Sequence, residues 1–145
     1  MEQQLTATET GLLEIIRAFW FLRKEGFEEK EFCLPGRELP TVGYHAPLKR
    51  MAIRIIGNEQ LPWTITIERR FGRFLWERRL RIDVSDHYGN FGASMYKNGA
   101  YTLSAQAKFI QSHLMPIIRG EIWIDELLAK HRADSKNAST ITSNL

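Results

Sequence analysis

Hydrophobic positions in the first part of the chain recur at helical spacing. Leu12, Ile15, Ile16, Phe19 and Leu22 fall at the i, i+3, i+4, i+7 intervals that line one face of a helix. Thr6 followed by Glu9 has the capping-box pattern, and Lys24 then Gly26 supply a basic last turn and a left-handed stop. A helix over residues 7–25 is predicted, its start weakened slightly by Gly11. From Val42 the pattern changes to period two. Val42 and Tyr44 alternate, Met51, Ile53 and Ile55 alternate with Ala52, Arg54 and Ile56, and Trp63, Ile65 and Ile67 alternate with Thr64, Thr66 and Glu68. A further strand is predicted from Phe74 to Val84, and a short one around Glu31 to Leu34 that enters a turn at Pro35-Gly36. Gly57-Asn58-Glu59-Gln60 and Arg70-Phe71-Gly72-Arg73 separate these runs as short loops, which makes the array an antiparallel meander.

Residues 85–101 carry Gly89, Gly92 and Gly99 among Tyr88, Phe91, Tyr96 and Tyr101 without periodicity, and are predicted to form a long loop. Thr102 or Ser104 then caps a helix bearing Ala107, Phe109, Ile110, Leu114 and Ile117, which Pro116 should kink or shorten. Gly120 separates it from a last helix with Ile122, Trp123, Leu127 and Leu128. From Ala133 the chain is polar with almost no apolar anchor, the pattern of a flexible tail. The predicted class is therefore α+β: a single domain over 1–132 and a tail over 133–145. Four or five antiparallel strands lie within about residues 30–84, with N-terminal and C-terminal helices on one face.

The chain has 145 residues, 43% hydrophobic and 26% charged, the size and balance of one globular domain with its own core. A single cysteine, Cys33, excludes an internal disulfide and fits a reducing compartment, so the expected localisation is cytoplasmic. The N-terminus lacks the pattern of a secretory signal, and Arg17, Arg23 or Arg119 interrupt the apolar clusters well short of a membrane span. No membrane contact is expected. The net charge of +3 is unevenly placed: residues 1–48 carry 5 basic and 8 acidic side chains, 49–81 carry 9 and 3, and 82–145 carry 6 and 6. The middle third is the electropositive part.

Its C-terminal part, Arg69 to Arg81, holds six arginines and three aromatics around Gly72. Arginine brings a planar, permanently charged fork and the aromatics bring rigid area, a mixture suited to a protein partner or to a nucleic-acid backbone. Strand alternation puts Trp76, Leu80, Ile82 and Val84 on the core face and Glu77, Arg79, Arg81 and Asp83 on the outer face. The expected partner contacts are Arg69, Arg70, Arg73, Arg79 and Arg81, with Tyr88 and Tyr96 of the loop as adaptable recognition tyrosines. A solvated face with arginines crossing to Glu68 and Glu77 fits the same residues. Nucleic acid is the alternative partner; it requires exposed Phe and Trp side chains, and the chain shows no ribonucleoprotein consensus or helix-turn-helix pattern.

Other candidates are weaker. Asp83, Asp86 and His87 lie across a strand end with no matching ligand cluster, and fit capping better than metal binding. Gly89-Asn90-Phe91-Gly92 lacks the Gly-Lys-Ser/Thr of a phosphate loop, Ser94 lacks a nucleophile elbow and Cys33 a nucleophile signature. His113 falls beside core positions of its helix. No cofactor, metal or small-molecule ligand is implied, and an enzyme using Asp86 or His87 is the least supported class. The leading helix ending in Phe-Leu-Arg-Lys-Glu-Gly-Phe is followed by Val-Gly-Tyr, Ile-Arg-Ile, Trp-Thr-Ile-Thr-Ile-Glu-Arg, Arg-Leu-Arg-Ile-Asp-Val and closing helices. In layout, over about residues 10–130, this resembles small bacterial α+β proteins of the immunity type, which neutralise toxins. The resemblance implies a non-enzymatic inhibitor that binds a partner protein. Immunity proteins against nucleases are usually acidic, and the basic middle third departs from that.

Overall fold

The computed structural model describes residues 7–32, 40–57, 63–93 and 102–143, without the side chains of 7–8 and 137–143. Helix α1 spans Ala7–Ala18 and helix α2 Phe21–Lys24. The predicted continuous helix is thus broken at Phe19 and Trp20, where the amides of Leu22 and Arg23 reach back three residues to Phe19 and Trp20. The stop is as expected. Gly26 sits at φ +87°, its amide bonds the Arg23 carbonyl, and the Phe27 amide bonds the Leu22 carbonyl. This paired closure satisfies the last carbonyls while Leu22 and Phe27 are both buried. Gly11 is explained by packing, because a Cβ there would run into the Pro40 ring.

Five antiparallel strands follow in sheet order β1-β2-β3-β4-β5: β1 Glu28–Glu31, β2 Thr41–Ala46, β3 Met51–Ile56, β4 Thr64–Phe71 and β5 Arg78–Asp83. The period-two reading of β3 is reproduced residue by residue in its alternation of buried and partly exposed positions. Ile53 lies opposite Tyr44 and Ile67, and Ile82 opposite Ile67, so one face of the sheet is a continuous apolar layer. Ile15, Phe19 and Leu22 from the N-terminal helices, and Ile110, Leu114 and Ile117 from the C-terminal ones, complete the core against it. The register of β1 slips between Glu29 and Glu31, and Gly43 opposite leaves room for the Glu31 side chain, which a Cβ would displace.

Thr102 is the predicted cap of helix α3 (Leu103–Phe109): its Oγ1 accepts from the Ala105 amide at 3.2 Å. The helix then widens into a π turn over Ile110–Leu114 before α4, Met115–Ile118. Pro116 accounts for this, since it has no amide to donate and its ring crowds the carbonyl four residues back. Gly120, at φ +75°, ends the segment, and α5 runs from Ile124 to Ser143. The segment from Ala133, expected as a flexible polar tail, continues α5 through Ser143, with the side chains of 133–136 exposed. The turn at Pro35-Gly36, Cys33, Ser94 and the 58–60 loop lie outside the described residues. No helix among the described residues is long and apolar enough to cross a membrane.

Candidate functional site

The β4–β5 hairpin divides its arginines rather than gathering them on one face. Cross-strand pairing sets Arg70 opposite Arg79 and Glu68 opposite Arg81, all on the outer face; Arg69 is opposite Leu80 on the helix side, where its guanidinium lies 4.8 Å from the Phe71 ring centre. Arg73 belongs to the turn itself. Of the two tyrosines expected beside them, Tyr88 is corrected by its burial. It is 4% exposed, stacked on Phe109 at 4.0 Å, and burial pushes its hydroxyl up to about 12, so it packs the loop down instead of offering a contact. Tyr96 lies outside the described residues.

On the outer face the charges form a ladder. Arg54 donates from Nε to Glu31 at 3.1 Å and from Nη1 to Glu68 at 3.4 Å, His45 Nε2 lies 3.1 Å from Glu31, and Arg79 Nε lies 3.9 Å from Glu68. The Arg54 hydrogen bonds hold the Glu31 carboxyl below its ordinary value, with His45 adding to the effect and partial burial opposing it. Arg70 and Arg50 share Glu77, at 3.6 and 3.8 Å. The crossings to Glu68 and Glu77 anticipated from the sequence are therefore present. Yet the Arg70 and Arg79 side chains stay 51% and 64% exposed, and Arg73, Arg78 and Arg81 have no carboxylate within salt-bridge distance among the described residues. A depression of about 290 Å³ opens on this face, bordered by His45, Arg50, Arg54, Glu68, Arg70 and Arg79.

The main departure from the sequence reading is Trp76. Expected in the core, it is 83% exposed, with Phe74 at 92% and Leu75 at 96% beside it. The ladder closes at the Phe71–Arg78 pair, so residues 72–77 form a turn in which Phe74–Trp76 coil as one 3₁₀ turn, and strand alternation does not reach Trp76. Gly72 at φ +80° and Phe74 at φ +55° bend the chain there, and a Cβ on Gly72 would strike the Trp76 carbonyl. A left-handed phenylalanine whose side chain packs on nothing is a strained residue without a structural return.

The remaining candidates resolve into structure. Val84–His87 forms a 3₁₀ turn without a side-chain cap, and His87 Nδ1 lies 3.1 Å from Asn90 Nδ2. Gly89–Phe91 is another such turn, ended by Gly92 at φ +70°, and it delivers Phe91 onto Phe109, His113 and His131. Among the described residues no three His, Cys, Asp or Glu side chains are grouped to hold a metal. No family model, curated protein or solved structure matches this chain.

Proposed function

We propose that the chain is a non-enzymatic binding protein that engages a partner protein through the outer face of its sheet. The observation that carries this reading is the asymmetry of the sheet. One face is sealed by helices, while the other holds Arg70 and Arg79, more than half exposed, beside Arg81 with no carboxylate within salt-bridge distance among the described residues. Glu68 and Glu77 hold the guanidinium groups in place, so less rotamer freedom is lost when an acidic surface docks. An immunity-type inhibitor, which acts by covering a toxin, is the form of this reading that the resemblance in layout favours. The basic face calls for a toxin with an acidic surface.

Nucleic acid is the second reading, and one observation favours it: Phe74 and Trp76 are exposed next to Arg73, as base stacking requires. Titration with mixed-sequence RNA and DNA at several salt concentrations separates the two. The protein-partner reading expects only weak, non-specific binding at physiological salt. Submicromolar binding with a steep salt slope that Arg79→Glu and Arg81→Glu flatten would transfer the face to nucleic acid.

A further inference from the structure

We propose that the hairpin end of the sheet is a docking surface for an anionic phospholipid bilayer, adjoining the outer face, with which it shares Arg50 and Arg70, but carried by residues outside it. The β2–β3 and β4–β5 connections leave the sheet at the same end, because Ala46 pairs with Met51, Met51 with Arg69, and Phe71 with Arg78. Each connection carries protruding apolar side chains: Leu48 is fully exposed in the first, and Phe74, Leu75 and Trp76 in the second are nearly so. The two turns are tied together, since Arg50 donates from Nη1 to the Gly72 carbonyl and the Arg70 amide bonds the Arg50 carbonyl at 3.0 Å. The prongs therefore stand in a fixed relation.

Beside them lies a depression of about 400 Å³, bordered by Lys49, Arg50, Arg69, Arg70 and Arg119 and by no carboxylate. From outside it Glu25 reaches Lys49 at 4.0 Å and Arg119 at 3.7 Å, and Glu77 reaches Arg50 at 3.8 Å and Arg70 at 3.6 Å, while Arg73 and Arg78 add two more cations with no carboxylate within salt-bridge distance among the described residues. The end as a whole is strongly positive. Apolar prongs ahead of a cationic collar match the boundary between acyl chains and anionic headgroups, where Trp and Phe settle at the interface and each nearby Arg or Lys adds attraction. A bilayer accepts separate prongs without a preformed pocket for each. Two of the four prongs are leucines, which have no ring for a base to stack on, and like charge opposes pairing of this end with a second copy. The absence of a membrane-spanning helix among the described residues does not bear on a contact that only rests on the surface.

The test is flotation of the full chain with vesicles of phosphatidylcholine alone and with vesicles in which about a third of the lipid is phosphatidylserine. Flotation is expected with the anionic vesicles only, weakening as salt is added. Leu75→Ser and Trp76→Ser should each lower partitioning by about tenfold or more, as loss of a buried Leu-sized side chain does. Arg73→Glu combined with Arg78→Glu should abolish it, while Lys30→Gln, on β1 at the opposite edge of the sheet, should leave it unchanged. All these positions are exposed, so the variants fold. Equal flotation on neutral vesicles, no flotation at all, or anionic binding indifferent to Leu75→Ser and Trp76→Ser would overturn the proposal. So would Trp76-dependent binding of mixed-sequence RNA, or Trp76-dependent dimerisation, in the absence of vesicle binding. Because Arg79 and Arg81 lie elsewhere, failure here leaves the partner-protein reading standing, and failure of that reading leaves this one.

Discussion

Replacing the hairpin tip with polar residues should cost the fold almost nothing. In the variant Phe74→Asn, Leu75→Ser, Trp76→Ser, the three side chains removed are 92%, 96% and 83% exposed. Full burial of a Phe or Leu side chain is worth about 1.5–3 kcal/mol, so the small covered fractions of Phe74 and Leu75 amount to about 0.2 kcal/mol or less each. Trp76 is larger; at ~25 cal/mol per Å² and up to ~250 Å², its covered sixth amounts to about 1 kcal/mol. Against this, Asn tolerates the left-handed conformation that Phe74 holds at φ +55°, a relief of order 1 kcal/mol. The net change is expected within about 1 kcal/mol of zero, read as a urea-midpoint shift below about half to one molar with an unchanged slope. Far-ultraviolet circular dichroism is the suitable probe, because removing one of the four tryptophans alters the fluorescence baseline. A loss above about 2 kcal/mol, in the range of buried-site substitutions, would mean that the tip packs against the protein and is not held out for contact.

By contrast, Phe19→Ala removes a fully buried ring between the N-terminal helices and the sheet, and should cost about 3–5 kcal/mol in the same urea assay. An unchanged midpoint would mean that the helix is not docked. Gly72→Ala places a Cβ against the Trp76 carbonyl at φ +80°, and should cost more than about 1 kcal/mol or reshape the turn, seen as shifted amide resonances for residues 71–78. Burial, with His131 nearby, lowers the pKa of His113 below its ordinary 6.5. The unfolded chain then binds the proton more readily than the folded one. This contribution to stability is complete above the ordinary value and is lost as pH falls through it towards the folded value. Urea midpoints measured across that range should fall with pH, less so in His113→Gln; identical slopes in the two proteins would refute this.

What was legible in the sequence was whatever local periodicity or capping chemistry specifies. The stripe Leu12, Ile15, Phe19, Leu22, the Gly26 stop, the alternation of β3 and β4 and the Thr102 cap all follow from spacing and residue type, and with them the α+β architecture. The break at Phe19 and Trp20 was hidden because the apolar face continues through it. Trp76 was misplaced because alternation was carried back beyond the Phe71–Arg78 pair, and nothing in the sequence marks a phenylalanine at φ +55°. The ladder from Glu31 through Arg54 and Glu68 to Arg79 depends on register across all five strands, including the slip in β1. Tyr88 could not be told from a surface tyrosine, since only the placement of Phe109 from a later helix decides its burial. The helical course of α5 beyond Ala133 left no apolar stripe to read.

The central claim, that Arg79 and Arg81 meet a partner protein, is tested most directly by purifying the wild-type chain and its Arg79→Glu, Arg81→Glu variant in parallel from native cells. Any protein retained by one and not the other is then rebuilt with this chain from purified components. The expected result is one acidic protein that binds the wild type in calorimetry and binds the variant at least about a hundredfold more weakly, as reversal of charges at a contact requires. An identical set of proteins on both chains, or a reconstituted complex indifferent to the two reversals, would contradict the claim.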